Sequence, residues 1–246
     1  MEIKTKGLII REQIVSEGDS LVTILTKFNG VIKAFVKGAK NIRNKNFSSV
    51  QLFCYSEFSI YKGRNKYIIN ESSLIDSFFR LRRDIEKLAL TQYFCEIIFN
   101  LVQEGVNSEE ILRFTLNSFH RIANTKLNIS VTKSIFEFRI ISMSGYMPNL
   151  ISCYRCVSIR GKEIFFSCKE GGIVCSECLV GGDKELIKIN FSVLSALRHI
   201  VYSDFNKIFS FELGKENQQL LSFITEKYLL NFIEKDLKTL KFYKSL

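Results

Sequence analysis

Four cysteines fall in two pairs, Cys153-x₂-Cys156 and Cys175-x₂-Cys178, with eighteen residues between the pairs. Thiolate is a soft ligand, and a tetrahedral ion such as zinc takes four of them. A C-x₂-C turn presents two sulfurs on one side, and two such turns facing each other fill the shell. A shell closed by four sulfurs leaves no position for water, so the chemistry expected is a structural Zn²⁺ site, one per chain, rather than hydrolysis. A dithiol redox motif would need a βαβ setting, which this segment lacks. Cys168 lies inside the segment but breaks the spacing and is left out of the ligand set. Cys54 and Cys95 sit on apolar faces and read as core.

A second chemistry is carried by cations. The chain has 35 basic and 25 acidic residues, a net charge of +10. Residues 1–80 hold 13 basic against 7 acidic residues, a net +6, while the later parts are nearly balanced. A basic module on a balanced body points to a polyanion partner. Within it, Lys33, Phe35 and Lys37 alternate along one strand, so their side chains share a face while Ile32, Ala34 and Val36 take the other. Cations interleaved with an aromatic ring can hold phosphates while a base stacks on the ring. The segment from Lys37 to Lys45 adds Lys40, Arg43 and Lys45 with no acid, and reads as a flexible cationic loop. Arg64 and Lys66 form a second small cluster at the turn between the last two strands. The competing readings are bland: a charged solvent face, and a charged hairpin tip.

The elements that must position these residues change character along the chain. Segments 8–15, 21–27, 31–37, 50–61 and 67–74 are rich in β-branched and aromatic residues. Gly18 and the Asn29-Gly30 pair supply turn chemistry between them. Five short strands in a small basic module predict a compact barrel of the OB type. Helical periodicity then takes over at 84–104, which is apolar on most faces and so central. It continues at 108–124, opened by Ser108 as N-cap candidate, at 130–144, at 191–202 and at 216–240. The cysteine pairs are thus inserted between helices. The expected class is α+β: residues 1–78 an OB-fold nucleic-acid-binding domain, 79–149 and 183–246 a helical domain, and 150–182 a zinc-binding insertion.

Several function classes find no support. The chain contains no G-x₄-G-K-[ST], no G-x-G-x-x-G and no H-E-x-x-H. His120 and His199 stand apart from any Cys, Asp or Ser constellation, so no catalytic residue is nominated. No apolar run reaches the ~18 residues that span a bilayer, and the first residues lack the apolar core of a secretory signal, so a cytoplasmic protein without membrane contact is expected.

The strings around the cysteines are more specific than their spacing. Gly145-Tyr146-x-Pro148-x-Leu150-x₂-Cys153-x₂-Cys156 and Phe166-Ser167-x₃-Gly171-Gly172-x₂-Cys175-x₂-Cys178 together resemble the RecO family of bacterial recombination mediators. The opening agrees, with Glu17-Gly18-Asp19, Leu25-Thr26, Gly30 and Lys37-Gly38-Ala39-Lys40, and so does the tail from Leu237 to Phe242. Val157 stands where a glycine often follows the knuckle, Thr239 replaces a serine, and 41–46 carries fewer arginines than is usual. The resemblance implies an N-terminal OB fold, a helical body and a zinc element, although some members lack the cysteines. It implies a non-enzymatic protein of the RecFOR pathway of DNA damage repair and recombination, cytoplasmic and nucleoid-associated during repair. Such a protein binds single- and double-stranded DNA, anneals complementary strands, and works with RecR and often RecF. It helps load RecA on DNA coated by single-stranded DNA-binding protein, whose acidic C-terminal tail it contacts. Another class is open on the residues alone: a protein–protein adaptor whose helical body and tail lysines Lys238, Lys241 and Lys244 bind acidic tails, with DNA contact incidental.

Overall fold

The computed structural model describes residues 1–64, 66–124, 129–158, 163–181, 183 and 185–246. Asn65 of the expected hairpin tip, residues 125–128 of the helical region, 159–162 and 182 of the expected zinc insertion, and Lys184 lie outside the described residues. The chain forms two compact units, one of residues 1–125 and 237–246, the other of residues 126–236. Contacts therefore group the first two helices and the last with the strands, whereas the sequence division at 78/79 followed secondary-structure type.

In the first unit, β1 (Glu2–Ile14), β2 (Ser20–Thr26), β3 (Val31–Val36), β4 (Tyr55–Lys62) and β5 (Tyr67–Asp76) pair in the order β1-β2-β3-β5-β4. β4 also pairs with β1, so every strand has two hydrogen-bonded neighbours. All pairs are antiparallel except β3 with β5. The alternation of β3 is as its sequence dictates: Ile32, Ala34 and Val36 are buried, and Lys33, Phe35 and Lys37 are exposed. The buried set joins Ile9, Val22, Ile24, Phe58, Ile60 and Ile69 in the apolar interior of the strands.

Helix α1 (Ile85–Leu101) starts at Asp84, whose carboxylate accepts the N–H groups of Glu86 and Lys87 at 3.0 and 3.2 Å. Its all-round apolar character is matched by burial of Tyr93, Phe94, Ile97 and Ile98. The segment between α1 and α2 (Glu109–Asn124) grips the β2–β3 turn. Gly105 N–H donates to Asn29 O at 2.9 Å, and the Ser108 hydroxyl donates to Thr26 O at 2.7 Å. Ser108, expected to cap α2 with its side chain, has spent its hydroxyl on this tertiary bond. Asn107 Oδ1 accepts the Glu109 N–H instead, at 3.1 Å. Gly30, at φ +64°, lies so close that a β-carbon there would sit 1.8 Å from Gln103 O.

The second unit holds α3 (Ile129–Met143), a small sheet of β6 (Asn149–Cys153), β7 (Ile164–Ser167), β8 (Gly172–Cys175) and β9 (Ile187–Ile189), then α4 (Phe191–Tyr202) and α5 (Lys215–Phe232). The sheet order is β6-β8-β7-β9. Between α3 and α5 lies an ion triad: Lys133 Nζ is 2.7 Å from Glu137 and 2.9 Å from Glu226, and Thr225 donates to Glu137 at 2.9 Å. Desolvation works against the Lys133 charge, but the two carboxylates prevail and hold its pKa above the usual lysine value.

The last predicted helix, 216–240, is in fact two. α5 ends at Phe232, and α6 (Lys238–Lys244) belongs to the first unit, where it packs on α1. No glycine or proline marks the break. Glu96 of α1 accepts the Thr239 N–H at 3.0 Å and also its hydroxyl, which supplies the start of α6 from across the contact. A threonine keeps the hydroxyl of the serine it replaces.

Three substitutions test these packing roles. Gly30→Ala is expected to lower stability by more than about 2 kcal/mol, since it adds a backbone clash to a left-handed position. Gly214→Ala, with open space around it and ordinary backbone, should stay within about 0.5 kcal/mol in the same thermal melts. Lys133→Ala leaves Glu137 buried without its cation and is expected to cost about 3 kcal/mol or more; a melt within 1 °C of the parent would contradict that role.

Candidate metal centre and candidate nucleic-acid interface

The four cysteines of the two pairs converge. The sulfurs of Cys153, Cys156, Cys175 and Cys178 all lie within 4.8 Å of one another. Cys156 Sγ and Cys175 Sγ are 3.8 Å apart, and a tetrahedron with ~2.3 Å metal–sulfur bonds has an edge of about 3.8 Å. The donor set and its spacing therefore fit a four-thiolate metal ion. Cys153 closes β6 and Cys175 closes β8, which run side by side in parallel, so the sheet brings the two knuckles together. The thiols are unequal. Burial opposes ionisation of Cys153, yet the N–H groups of Cys175, Cys156 and Arg155 point at its sulfur and bring it down to about 6. Cys178 shares protons with the sulfurs of Cys156 and Cys175 and is pushed up to about 12. Cys168 is outside the cluster, buried, with its thiol pushed up to about 11 by desolvation. Cys54 and Cys95 are core residues, as expected.

Sequence reasoning missed what joins the knuckles from outside. Arg155, between the first two cysteines, donates to both oxygens of Asp183 at 2.7 and 2.8 Å, to Glu170 Oε1 at 3.0 Å, and to Cys178 O at 2.8 Å. The guanidinium holds the Asp183 carboxyl down at about 2. One fork thus ties the first knuckle to the backbone of the second. A C-x-R-C string alone gives no hint of acids 15 and 28 residues away.

Val157, which follows the first knuckle, has φ +61° and is 78% exposed. A β-branched residue pays for that conformation with about 1–2 kcal/mol, and so exposed a side chain returns little by packing.

The cations predicted to meet DNA fall on the outward face of β3, in the loop after it and in the β4–β5 turn. Lys33 lies over the ring of Phe99 of α1, with Nζ 5.5 Å from the ring centre. Arg11 approaches the same ring, also at 5.5 Å. Arg11, Thr23 and Lys33 are register partners across β1, β2 and β3, and Thr23 is buried between them. Neither Arg11 nor Phe99 was nominated from sequence, because their meeting depends on where α1 lies. Phe35 is 38% exposed. Lys37, Arg43, Arg64 and Lys66 are all exposed and have no acidic partner among the described residues.

The 37–45 loop, flexible by its composition, is tied to its surroundings by several hydrogen bonds. Gly38 N–H donates to Asp19 at 2.8 Å, Lys40 N–H to Gly18 O at 3.1 Å, and Asn44 Nδ2 to Lys37 O at 2.8 Å. Two of its cations are paired, Lys40 with Glu12 at 2.6 Å and Lys45 with Glu71 at 2.5 Å. Asparagines and short-range acids tie the loop down, so Lys37 and Arg43 are left as its unpaired charges. His120 contacts Asp76 and the Phe78 ring, and His199 bonds Lys207 O at 2.8 Å; both have structural partners.

Val157→Gly is expected to stabilise the second unit by about 1 kcal/mol, since glycine adopts φ +61° without strain and its extra freedom in the unfolded chain offsets only part of the gain. Arg155→Ala is expected to cost about 2 kcal/mol and to speed metal loss to a chelator. A variant lacking Arg155 that lost metal no faster than the parent would contradict its clasp role.

Comparison with known proteins agrees with these features. The family model described as "Recombination protein O N terminal" matches residues 1–78, and that described as "Recombination protein O C terminal" matches residues 82–241. The chain is 33% identical to the DNA repair protein RecO of Acetivibrio thermocellus over 244 residues, covering 99% of this chain and 97% of that protein. It is 33% identical to the RecO of Clostridium kluyveri, covering 94% and 90%, and 28% identical to that of Alkaliphilus metalliredigens, covering 96% and 95%. With both halves of the family matched in order along almost the whole chain, this protein belongs to the RecO family of DNA repair proteins.

Proposed function

We propose that this protein is a non-enzymatic mediator of DNA repair and homologous recombination. It binds single- and double-stranded DNA, anneals complementary single strands, and with RecR helps load RecA on DNA coated by single-stranded DNA-binding protein. The tail of that protein, RecR and, in part of the family, RecF are its proposed partners. The observation that carries the reading is the outward strand face of Lys33, Phe35 and Lys37, extended by Arg43, Arg64 and Lys66, in a chain of the RecO family. The strand order β1-β2-β3-β5-β4 with return to β1 supports an OB-type barrel over residues 1–78 as the DNA-binding module. The proposed helical body is 79–149 with 183–246, and 150–182 the zinc insertion.

The mechanism is electrostatic. Lysine and arginine displace counterions from phosphates, and two strands held on one cationic surface no longer repel each other fully. Lys40 and Lys45 contribute less, because each must first leave Glu12 or Glu71. The ion proposed for the cysteine cluster is zinc, which in a closed four-thiolate shell supplies folding energy rather than a reactive water. No helix among the described residues is long and apolar enough to cross a membrane, and a cytoplasmic, nucleoid-associated site of action is proposed.

With about five phosphate contacts to a single strand, log affinity against log salt should fall with a slope of about −3 to −4. The triple change Lys33→Glu, Lys37→Glu and Arg43→Glu should flatten that slope and weaken annealing. Lys238→Glu, Lys241→Glu and Lys244→Glu together should leave DNA affinity within about twofold, on the same phosphate arithmetic. The reverse pattern, with DNA affinity following the tail lysines, would favour the adaptor reading. Metal analysis of the same sample should give one zinc per chain.

A further inference from the structure

The sheet register places a second ring beside Phe35. Phe35 of β3 is the register partner of Leu21 on β2 and of Ile68 on β5, and Ile68 is the partner of Tyr61 on β4. Partners across neighbouring strands put their side chains on the same face. Leu21, Phe35, Ile68 and Tyr61 therefore form one row across the outside of four adjacent strands. None of the four is buried: Tyr61 is 48% exposed, and Leu21 and Ile68 are partly so. Neighbouring strands lie ~4.8 Å apart, so the two rings stand about 10 Å from each other with Ile68 as the floor between them.

The charges around the row are uneven. Lys37 lies just past the end of β3 on one side of the row, and on the other side stand Lys62 at the end of β4 and Arg64 and Lys66 in the β4–β5 turn. Lys62 lies against the Tyr67 ring, 5.4 Å from its centre, while the turn holds no acid. Beyond Tyr61 the next partner is Glu2 on β1, which takes a hydrogen bond from Ser59. A carboxylate there repels phosphate and closes that end of the row.

We infer that Tyr61 and Phe35 are a pair of base-stacking platforms, and that a single strand crosses β2, β3, β5 and β4 at right angles, between Lys37 on one side of the row and the Arg64 turn on the other, with its path ending before Glu2. This rests on the proposal that the outer strand face binds DNA, and it adds a selectivity: bases reach the two rings only when unpaired, so the row favours single over double strands. Duplex bases are already stacked on each other and meet only the cations.

The test uses the full-length protein with a short oligonucleotide carrying 2-aminopurine, and a duplex of the same length. Tyr61→Ala should weaken single-strand binding about fivefold or more and leave duplex binding within twofold, since each base stacked on an aromatic ring contributes substantially to affinity. Tyr61→Phe should retain single-strand affinity, because the ring and not the hydroxyl does the stacking. The 2-aminopurine emission change on binding should shrink in Tyr61→Ala and persist in Tyr61→Phe. Equal losses on single strand and duplex, or no loss in Tyr61→Ala while the parent protein binds with normal salt dependence, would overturn the inference. Absence of salt-dependent binding by the parent protein would instead sink the underlying DNA-binding reading.

Discussion

A strand has two faces, and in the N-terminal sheet one of them is taken by the apolar interior. Each strand there has neighbours on both sides, so Ile9, Val22, Ile24, Ile32, Phe58 and Ile60 have one place to go. With side chains alternating, their burial forces Lys33, Phe35 and Tyr61 outward. A slip of one residue in β3 would put Lys33 into the interior and Ile32, Ala34 and Val36 into water, so the register is held by a large penalty. The proposed contacts of Lys33, Phe35 and Tyr61 depend on that constraint. Lys33 and the two rings belong to the obligatory outer half of strands whose inner half makes the core, and the remaining cations sit in the loops those strands carry.

The metal centre stands on a different footing. Two parallel strands, β6 and β8, end in the two knuckles, and four sulfurs meet at the spacing a tetrahedral ion needs. Arg155 repeats the closure in charge and hydrogen bonds rather than metal, through Asp183, Glu170 and the Cys178 carbonyl. Around the sulfurs the packed cluster is small, with Val174 and partly buried Leu186 beside the cysteines, which is the situation in which a metal supplies what a core cannot. The cluster is proposed to serve folding, and the DNA-facing chemistry is proposed for the other compact unit.

Features written in local sequence were legible in it. Alternation in β3, the bounds of α4 at 191–202, the all-round apolar α1 and the four cysteines each rest on spacing within one segment. What escaped rests on pairing between segments. Phe99 over Lys33, Tyr61 beside Phe35, and Arg155 against Asp183 become visible only when register and packing bring distant residues together. The 37–45 loop shows the same limit from the other side. Its charge content is plain in the sequence, but Glu12 and Glu71, which neutralise half of it, come from β1 and β5. The split of 216–240 into α5 and α6 has no breaker residue, because Glu96 of α1 sets it.

The central claim is that single-stranded DNA lies on the outer face of β3 and its neighbours. Photocrosslinking of an iodouracil-substituted oligonucleotide to the full-length protein, read by mass spectrometry, tests it most directly. The account predicts crosslinked peptides containing Phe35 and Tyr61, lost when unlabelled single strand competes. Crosslinks confined to the cysteine segment 150–182 or to the tail 237–246 would contradict it.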